Sequence, residues 1–163
     1  MSRAVLSIGS NLGDRLANLR LALDAFRPWL VGVSPVYQTP PWGPVPQDDF
    51  LNAVLLVADA AASPREWLIR AQAAERAAGR VREIHWGPRT LDVDVIDVDG
   101  LESAEPELTL PHPRAAERAF VLIPWADVDA TASLAGQQVR ARLAALPAAE
   151  RSGVRPMPGA VLS

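Results

Sequence analysis

Residues Trp86–Val95 read WGPRTLDVDV, a short apolar strand pattern directly behind a charged loop. Side chains two apart on a strand share a face, so Asp92 and Asp94 are expected to point together away from the apolar residues between them. Two carboxylates with α-carbons roughly 6.5–7 Å apart repel each other, and burying them unpaired is costly. A divalent cation removes both problems, and two metals about 3.5–4 Å apart would bridge the carboxylates and a polyphosphate. The alternative is a solvated strand face that carries two charges.

The loop before this strand is basic, with Arg80, Arg82, His85 and Arg89 close together. Arginines beside metal-binding aspartates are explained if a polyphosphate lies between them, because metals and guanidinium groups then hold its oxygens from opposite sides. Trp86 in the same loop predicts a lid that packs down and excludes water. The alternative is a solvated charged loop.

The composition excludes several classes of protein. Of the 163 residues, 49% are apolar and 21% are charged, which is ordinary for one soluble domain. The net charge of -3 argues against a general nucleic-acid or membrane-surface binder. All 16 basic residues are arginine and there is no cysteine, so lysine-dependent phosphate loops, Schiff bases, disulfides and thiol catalysis are excluded.

The cellular location expected from the sequence is the cytoplasm. No uncharged apolar run approaches the about 18 residues that a membrane helix needs. The N-terminus lacks the apolar stretch and the small-residue cleavage site of a signal peptide.

The hydrophobic pattern predicts alternating strands and helices in a single α/β sandwich over residues 1–163, with a weakly structured tail from about residue 151. One predicted helix carries Leu16, Leu19, Leu23 and Phe26 on one face, and a second begins at the capping box Ser63-Pro-Arg-Glu66. Strands are predicted at 4–8, 31–38 (interrupted by Pro35), 50–58 and 90–98 and in the run AFVLIP from Ala119, and a last helix at 137–146.

Specific predictions concern Gly9 and Ser10, the aspartates Asp97 and Asp99 before Gly100, and His112. Gly9 and Ser10 are expected to form a tight turn, with Asn11 or Asp14 capping the helix that follows. Asp97 and Asp99 are interpreted as solvent-facing residues at a turn. His112, held between two prolines, would donate to a phosphate oxygen; a structural loop histidine is the alternative.

Taken together, the motifs GSNLGDR, TPPWG, FLNA, GRVR, WGPRTLDVDV and LPHPRAAERAFVL resemble those of the 6-hydroxymethyl-7,8-dihydropterin pyrophosphokinases of folate biosynthesis. The resemblance implies a monomer with a ferredoxin-like core and a largely antiparallel sheet flanked by helices. It implies ATP and two Mg²⁺ ions, and transfer of the pyrophosphoryl group of ATP to the pterin's hydroxymethyl oxygen with release of AMP. ATP and the pterin would be its only partners, without nucleic acid or membrane.

The resemblance also implies roles for particular residues. Asp92 and Asp94 match the metal ligands and, with the loop residues Arg80 and Arg89, the catalytic group. The positions implied on the ATP side are Gln72, Glu75, Arg82, Trp86, Arg89, Val95, His112 and Arg118. Those implied around the pterin are Thr39, Pro40, Trp42, Phe50, Asn52, Asp92 and Phe120, with the two phenylalanines stacking on the ring.

Two other functions remain open at this point. An Asp-x-Asp strand also occurs in nucleotidyltransferases, which release pyrophosphate instead of AMP. A non-catalytic ferredoxin-like module would bind a ligand without consuming ATP.

Overall fold

The structure is a computed structural model that describes residues 2–41, 43–79 and 90–162. Its elements, in chain order, are β1 (Ser2–Ser10), α1 (Arg15–Phe26), β2 (Leu30–Val33), β3 (Tyr37–Thr39), β4 (Phe50–Asp59), α2 (Pro64–Ala77), β5 (Asp92–Val98), β6 (Ser103–Glu105), β7 (Leu108–Leu110), α3 (Ala119–Val128), β8 (Ser133–Leu134), β9 (Gln137–Gln138), α4 (Val139–Ala145), α5 (Ala148–Ser152) and β10 (Arg155–Pro156). Single turns of 3-10 helix lie at Arg27–Trp29 and Ala115–Glu117.

Six strands form the main sheet in the order β10-β3-β4-β1-β5, with β2 also paired to β4. All the pairings found in it among the described residues are antiparallel. If β2 and β3 are taken as one interrupted strand, the chain runs β-α-β-β-α-β, which is the ferredoxin-like arrangement. The predicted fold class, a largely antiparallel sheet flanked by helices, is therefore confirmed.

The interruption between β2 and β3 follows from Pro35. Proline has no amide hydrogen for the ladder, so it breaks an edge strand. Ser34 bridges the gap: its amide donates to the Val54 carbonyl at 2.9 Å, and its hydroxyl accepts from the Val54 amide at 2.8 Å. The predicted strand at 31–38 with a break at Pro35 is confirmed.

Helices α1 and α2 cover one face of the sheet, and both begin as the sequence predicts. The Asp14 carboxylate accepts from the Ala17 amide at 3.1 Å. Ser63 and Glu66 form the reciprocal capping box, with side chain to backbone distances of 3.3 and 3.1 Å. Since these caps satisfy amides that lack partners inside the helix, they fix where each helix starts. The buried residues of these helices include Leu19, Leu23, Phe26, Trp67 and Ala71.

The opposite face is covered by α3 and α4. The prediction of a strand from Ala119 is wrong, because Ala119–Val128 is a helix with Pro124 inside it. A short apolar run does not distinguish a buried strand from a buried helix. Here the run buries Val121, Leu122 and Trp125 against the sheet and forms its backbone hydrogen bonds internally. Phe120 consequently lies in the first turn of a helix.

The turn predicted at Gly9 and Ser10 is also wrong. Both residues belong to β1, where Gly9 pairs with Asn52 of β4 on one side and Asp92 of β5 on the other. β1 is thus a central strand up to its last residue. The end of β1 stays paired because β4 and β5 both extend far enough to lie beside Gly9.

β5 contains a bulge at Ile96, where its register against β1 shifts by one residue. Before the bulge the expected alternation holds, and Asp92 and Asp94 point away from the face covered by α1 and α2. After the bulge, Asp97 is half-buried, and its carboxylate accepts from the Gly100 amide at 3.2 Å. Asp99 is exposed at the turn as interpreted, whereas Asp97 lies within β5 and is only partly exposed.

The C-terminal part adds short helices and strands around the sheet, among them β10 at its β3 edge. The helix predicted at 137–146 is present as α4; β9 occupies its first two predicted residues, and the helix ends at Ala145. Beyond residue 151, β10 pairs with β3, and Leu162 is buried. Within the described ranges, no helix combines the length and the apolar character that crossing a bilayer requires.

Candidate active site

The site begins with a row of residues that face each other across four strands. Asp92 of β5 pairs with Gly9 of β1, Gly9 with Asn52 of β4, and Asn52 with Tyr37 of β3. Directly paired residues point to the same face, which here is the α3 face. At one end of the sheet the Asp92 carboxylate and the Asn52 amide therefore lie on the same face, with Gly9 between them.

The glycine creates the space in this row. A Cβ atom at Gly9 would lie 2.7 Å from Oδ1 of Asn52 and 3.4 Å from Cδ1 of Phe50. Asn52 is 3% exposed, and its Nδ2 donates to Oγ1 of Thr39 at 2.6 Å. Phe50 and Asn52, two residues implied around the pterin, therefore lie together over Gly9, and a third, Thr39, is bonded to Asn52. Only a residue without a side chain leaves them this close.

The acidic pair lies at the neighbouring edge of the sheet. Asp92 and Asp94 are both partly exposed, and Asp94 pairs with Ser7 of the central strand. The backbone between them is held by Glu75 of α2, whose buried carboxylate accepts from the Val93 amide at 3.0 Å. This bond occupies the outer edge of β5, so it fixes the strand without using either aspartate.

His112 approaches the pair from the loop after β7, where its amide donates to the Ile96 carbonyl at 2.8 Å. Burial lowers the pKa of its imidazole to about 4, with the positive charge of Arg118 contributing and Asp92 opposing. The ring is therefore neutral near pH 7. Because Nδ1 accepts from the Arg114 amide at 3.2 Å, the proton is assigned to Nε2. His112 thus offers one N–H donor close to the acidic pair.

Arg118 precedes α3 and lies in the field of both aspartates. Burial lowers the pKa of its guanidinium, and Asp94 and Asp92 counteract this effect. An arginine remains charged under such conditions. Its Cζ lies 5.4 Å from the centroid of the Phe120 ring. Arg118 therefore connects the acidic pair to the residue implied as a pterin stacking partner.

A cavity of about 410 Å³ opens beside the acidic pair, between α2, β5 and the β6–β7 hairpin. Its lining brings together five residues implied on the ATP side or at the metals: Gln72, Glu75, Asp94, Val95 and His112. Val95 is also a core residue, so only part of its surface is available there.

The remaining predicted residues divide into two groups. Pro40 is exposed beyond β3, and Phe120 is partly buried on the α3 face. The predicted residues Trp42, Arg80, Arg82, Trp86 and Arg89 lie outside the described part of the chain.

The acidic pair suits magnesium by its donor chemistry. Over residues 2–41, 43–79 and 90–162, no three His, Asp or Glu side chains gather as a metal cage. Mg²⁺ in phosphotransfer sites is commonly held by one or two carboxylates, the remaining ligands being water and substrate phosphates. Asp92 and Asp94 meet that requirement.

Two contributors to this geometry were not predicted as parts of the site from the sequence. Gly9 was interpreted as a turn, although a glycine within a strand pattern is itself a signal of close backbone approach. Asn11 was considered only as a cap. It is buried, and its Nδ2 donates to Oε1 of Gln47 at 2.7 Å and to the Asp48 carbonyl at 2.9 Å, which ties these two residues to the end of β1. Its partners are too distant in sequence for a local pattern to indicate them.

The fold and the site together define a class: a ferredoxin-like α/β protein suited to transfer from a metal-bound polyphosphate. Residues 5–130 match the family model described as 7,8-dihydro-6-hydroxymethylpterin-pyrophosphokinase (HPPK). A protein of Mycobacterium tuberculosis named 2-amino-4-hydroxy-6-hydroxymethyldihydropteridine pyrophosphokinase is 53% identical over 95% of this chain and 89% of its own. A Pseudomonas aeruginosa protein of the same name is 38% identical over 98% of this chain and 99% of its own. The chain belongs to the HPPK family.

Solved structures share the fold. The chain is similar to Plasmodium falciparum HPPK-DHPS A437G with pteroate, with a TM-score of 0.70 and 13% identity. The match covers 88% of this chain and 40% of that one, so the chain spans less than half of the longer protein. At this identity the likeness shows a common fold alone.

Proposed function

We propose that the chain carries out the reaction of its family at the site described above. The hydroxymethyl oxygen of 6-hydroxymethyl-7,8-dihydropterin attacks the β-phosphorus of ATP. The bond from that phosphorus to the oxygen shared with the α-phosphate breaks, AMP leaves, and the hydroxymethyl proton is lost. The observation that carries the proposal is the pair Asp92 and Asp94 on one face, with His112 and Arg118 beside it, in a chain of this family.

Asp92 and Asp94 are proposed to hold two magnesium ions with the ATP polyphosphate. When bound, magnesium neutralises the charge of the polyphosphate and polarises the reacting phosphoryl group. The two carboxylates lie on a strand paired on its inner edge and pinned on its outer edge by Glu75. A rigid backbone suits this role, because transfer of this kind depends on positioning and charge stabilisation more than on a protein nucleophile.

Arg118 and His112 are proposed to contact the phosphates. The guanidinium keeps its charge although it is largely buried, and a buried cation attracts phosphate oxygens more strongly than a solvated one. The imidazole of His112, neutral in the ligand-free protein, is proposed to donate from Nε2 to a phosphate oxygen and so to orient it.

The nucleotide is proposed to occupy the cavity beside β5, with Gln72, Glu75 and Val95 among its contacts. Arg80, Arg82, Trp86 and Arg89 are proposed to close over the polyphosphate as a lid. The charge of the arginines and the position of their loop directly before Asp92 in the sequence support this assignment.

The pterin is proposed to bind on the α3 face next to Gly9. Phe50 and Phe120 offer faces for stacking, and Asn52 offers its amide to the ring's polar edge, as the Asn52 to Thr39 bond leaves further hydrogen-bonding capacity on both side chains. Thr39 ends β3 and Pro40 follows it, and the backbone of these residues and of Trp42 is proposed to read the same edge. Asp92 lies in the same row, which brings the metals and the pterin to a common point.

Product identity tests the reaction. Purified protein with ATP, Mg²⁺ and the pterin should form AMP only when the pterin is present. Formation of pyrophosphate would indicate a nucleotidyltransferase, and pterin binding without ATP consumption would indicate a binding module. Either result would contradict the proposal.

A matched pair of variants on one strand tests the metal ligands. Asp94→Asn should lower kcat by about a thousandfold or more, because the charge that holds the metal is lost. Asp97→Asn, beyond the bulge of the same strand, should leave kcat near the wild-type value. Equal activity of both variants at saturating Mg²⁺ would remove Asp94 from the site.

The chain is further proposed to be one catalytic domain, monomeric and cytoplasmic. Two buried clusters on opposite faces of one sheet support the single domain. The absence of cysteine fits a reducing compartment. Sedimentation equilibrium would test the monomer, and fractionation of the native cells the location.

A further inference from the structure

The C-terminal segment, residues 148–157, lies against the candidate pterin site. It contains α5 and β10 and lies beyond residues 5–130, which match the family model. β10 extends the main sheet next to β3, the strand that ends at Thr39. The segment therefore adjoins the loop and the helix that carry the implied pterin contacts.

The most specific of its contacts involves Glu150. Its Oε1 accepts from the amide of Ala119 at 3.3 Å. Ala119 is the first residue of α3, is fully buried, and stands between Arg118 and Phe120. The first amides of a helix have no partners within it, and a carboxylate near that end is favoured by the helix dipole. Since α3 has no side-chain cap from its own N-cap residue, Glu150 supplies the acceptor from a distant segment.

Two further observations place the same segment next to β3 and β4; because Arg155 pairs with Gln38, its side chain lies on the face of the sheet opposite α3. A guanidinium nitrogen of Arg155 lies 3.1 Å from Oδ2 of Asp49, which also accepts from Gln38 at 3.0 Å. Asp49 directly precedes Phe50 at the start of β4. A Cβ atom on Gly153 would lie 3.6 Å from Cδ of Pro40, so the segment runs within van der Waals reach of that residue.

We propose that Glu150 is a positioning residue for the pterin pocket. It caps α3 and thereby sets the direction in which Phe120 presents its ring. Arg118 is held in addition by its attraction to Asp94 and Asp92, so loss of the cap acts mainly on Phe120. The inference rests on the proposed placement of the pterin.

Three variants of the full chain test it. Glu150→Ala removes the acceptor, Glu150→Gln keeps an oxygen at the same position, and Arg151→Ala is the control. Arg151 is exposed in the same helix, and its side chain makes no hydrogen bond or ion pair within the described residues. The measurements are KM for 6-hydroxymethyl-7,8-dihydropterin and for ATP, the calorimetric Kd of the pterin with α,β-methylene ATP present, and Tm.

Glu150→Ala should raise the KM and Kd for the pterin about fivefold, the effect of one helix cap, while KM for ATP changes less than about twofold. Glu150→Gln should restore most of the affinity, and Arg151→Ala should match the wild type. An unchanged pterin Kd in Glu150→Ala would overturn the inference, as would parallel losses for both substrates with a lower Tm, which would indicate a role in stability only. If Glu150→Ala does not fold, wild-type pterin affinity in Glu150→Gln supports the inference, and an affinity lost in that folded variant overturns it. Absence of AMP formation by the wild type would instead contradict the proposed function.

Discussion

The substitution Gly9→Ala adds a single methyl group at the centre of the proposed pterin site. The new Cβ would lie 2.7 Å from Oδ1 of Asn52, whereas a carbon and an oxygen in contact are about 3.3 Å apart. The Asn52 amide must therefore move by about 0.6 Å. It is buried and bonded to Thr39, so the movement is resisted from the other side.

Overpacking of a filled site typically costs about 1–3 kcal/mol. Part of this strain is expected in the free protein as a lower Tm. The displaced amide should also weaken pterin binding by about tenfold or more, which corresponds to about 1.4 kcal/mol. ATP affinity should remain near the wild-type value, because the nucleotide cavity lies at the other edge of β5.

Calorimetric titration of the pterin and of α,β-methylene ATP separates the two effects. Gly159→Ala is the control, because a Cβ there meets nothing within 4 Å. Combining Gly9→Ala with Asn52→Ala tests the cause: once the obstructing amide is removed, the added methyl group should have little further effect. Wild-type pterin affinity in folded Gly9→Ala would refute the reasoning.

The remaining predictions concern three other residues. Asn52→Ala alone should weaken pterin binding by about 1–3 kcal/mol with ATP affinity nearly unchanged; equal losses for both ligands in titrations would contradict the assigned role. Arg89→Ala should lower kcat more than it weakens pterin binding. Arg89→Lys should restore only part of the lost kcat, since lysine lacks the planar, two-pronged guanidinium of arginine. An unchanged kcat in Arg89→Ala would place Arg89 outside the site. Burial raises the pKa of Asp97 above 3.8, with repulsion from Asp99 contributing. The native state therefore binds the proton more tightly than the unfolded state, and this group's contribution to stability is lost as pH rises through that raised pKa. Asp97→Asn should accordingly raise the free energy of unfolding near neutral pH, and the difference should vanish at pH values below 3.8; a gain that persists in acid would exclude charge as the cause.

The sequence by itself determined the features that depend on near neighbours. The alternation along β5 was enough to place Asp92 and Asp94 on one face, because a strand has a period of two. The capping box at Ser63 and the break at Pro35 also rest on groups within a few residues, so their outcomes were predictable. The motifs that resemble the family likewise led to the correct fold class and family.

Only the tertiary structure decided the features whose partners lie far apart in the chain. The run after Arg118 is apolar enough for a buried strand or a buried helix. It forms the helix α3 because its apolar residues are buried against the second face of the sheet. Gly9 is constrained by Asn52, which a turn interpretation cannot reveal. The contact from Glu150 to the start of α3 joins segments with no common local pattern. Each of these depends on which surfaces packing brings together, and a local pattern contains no information about distant partners.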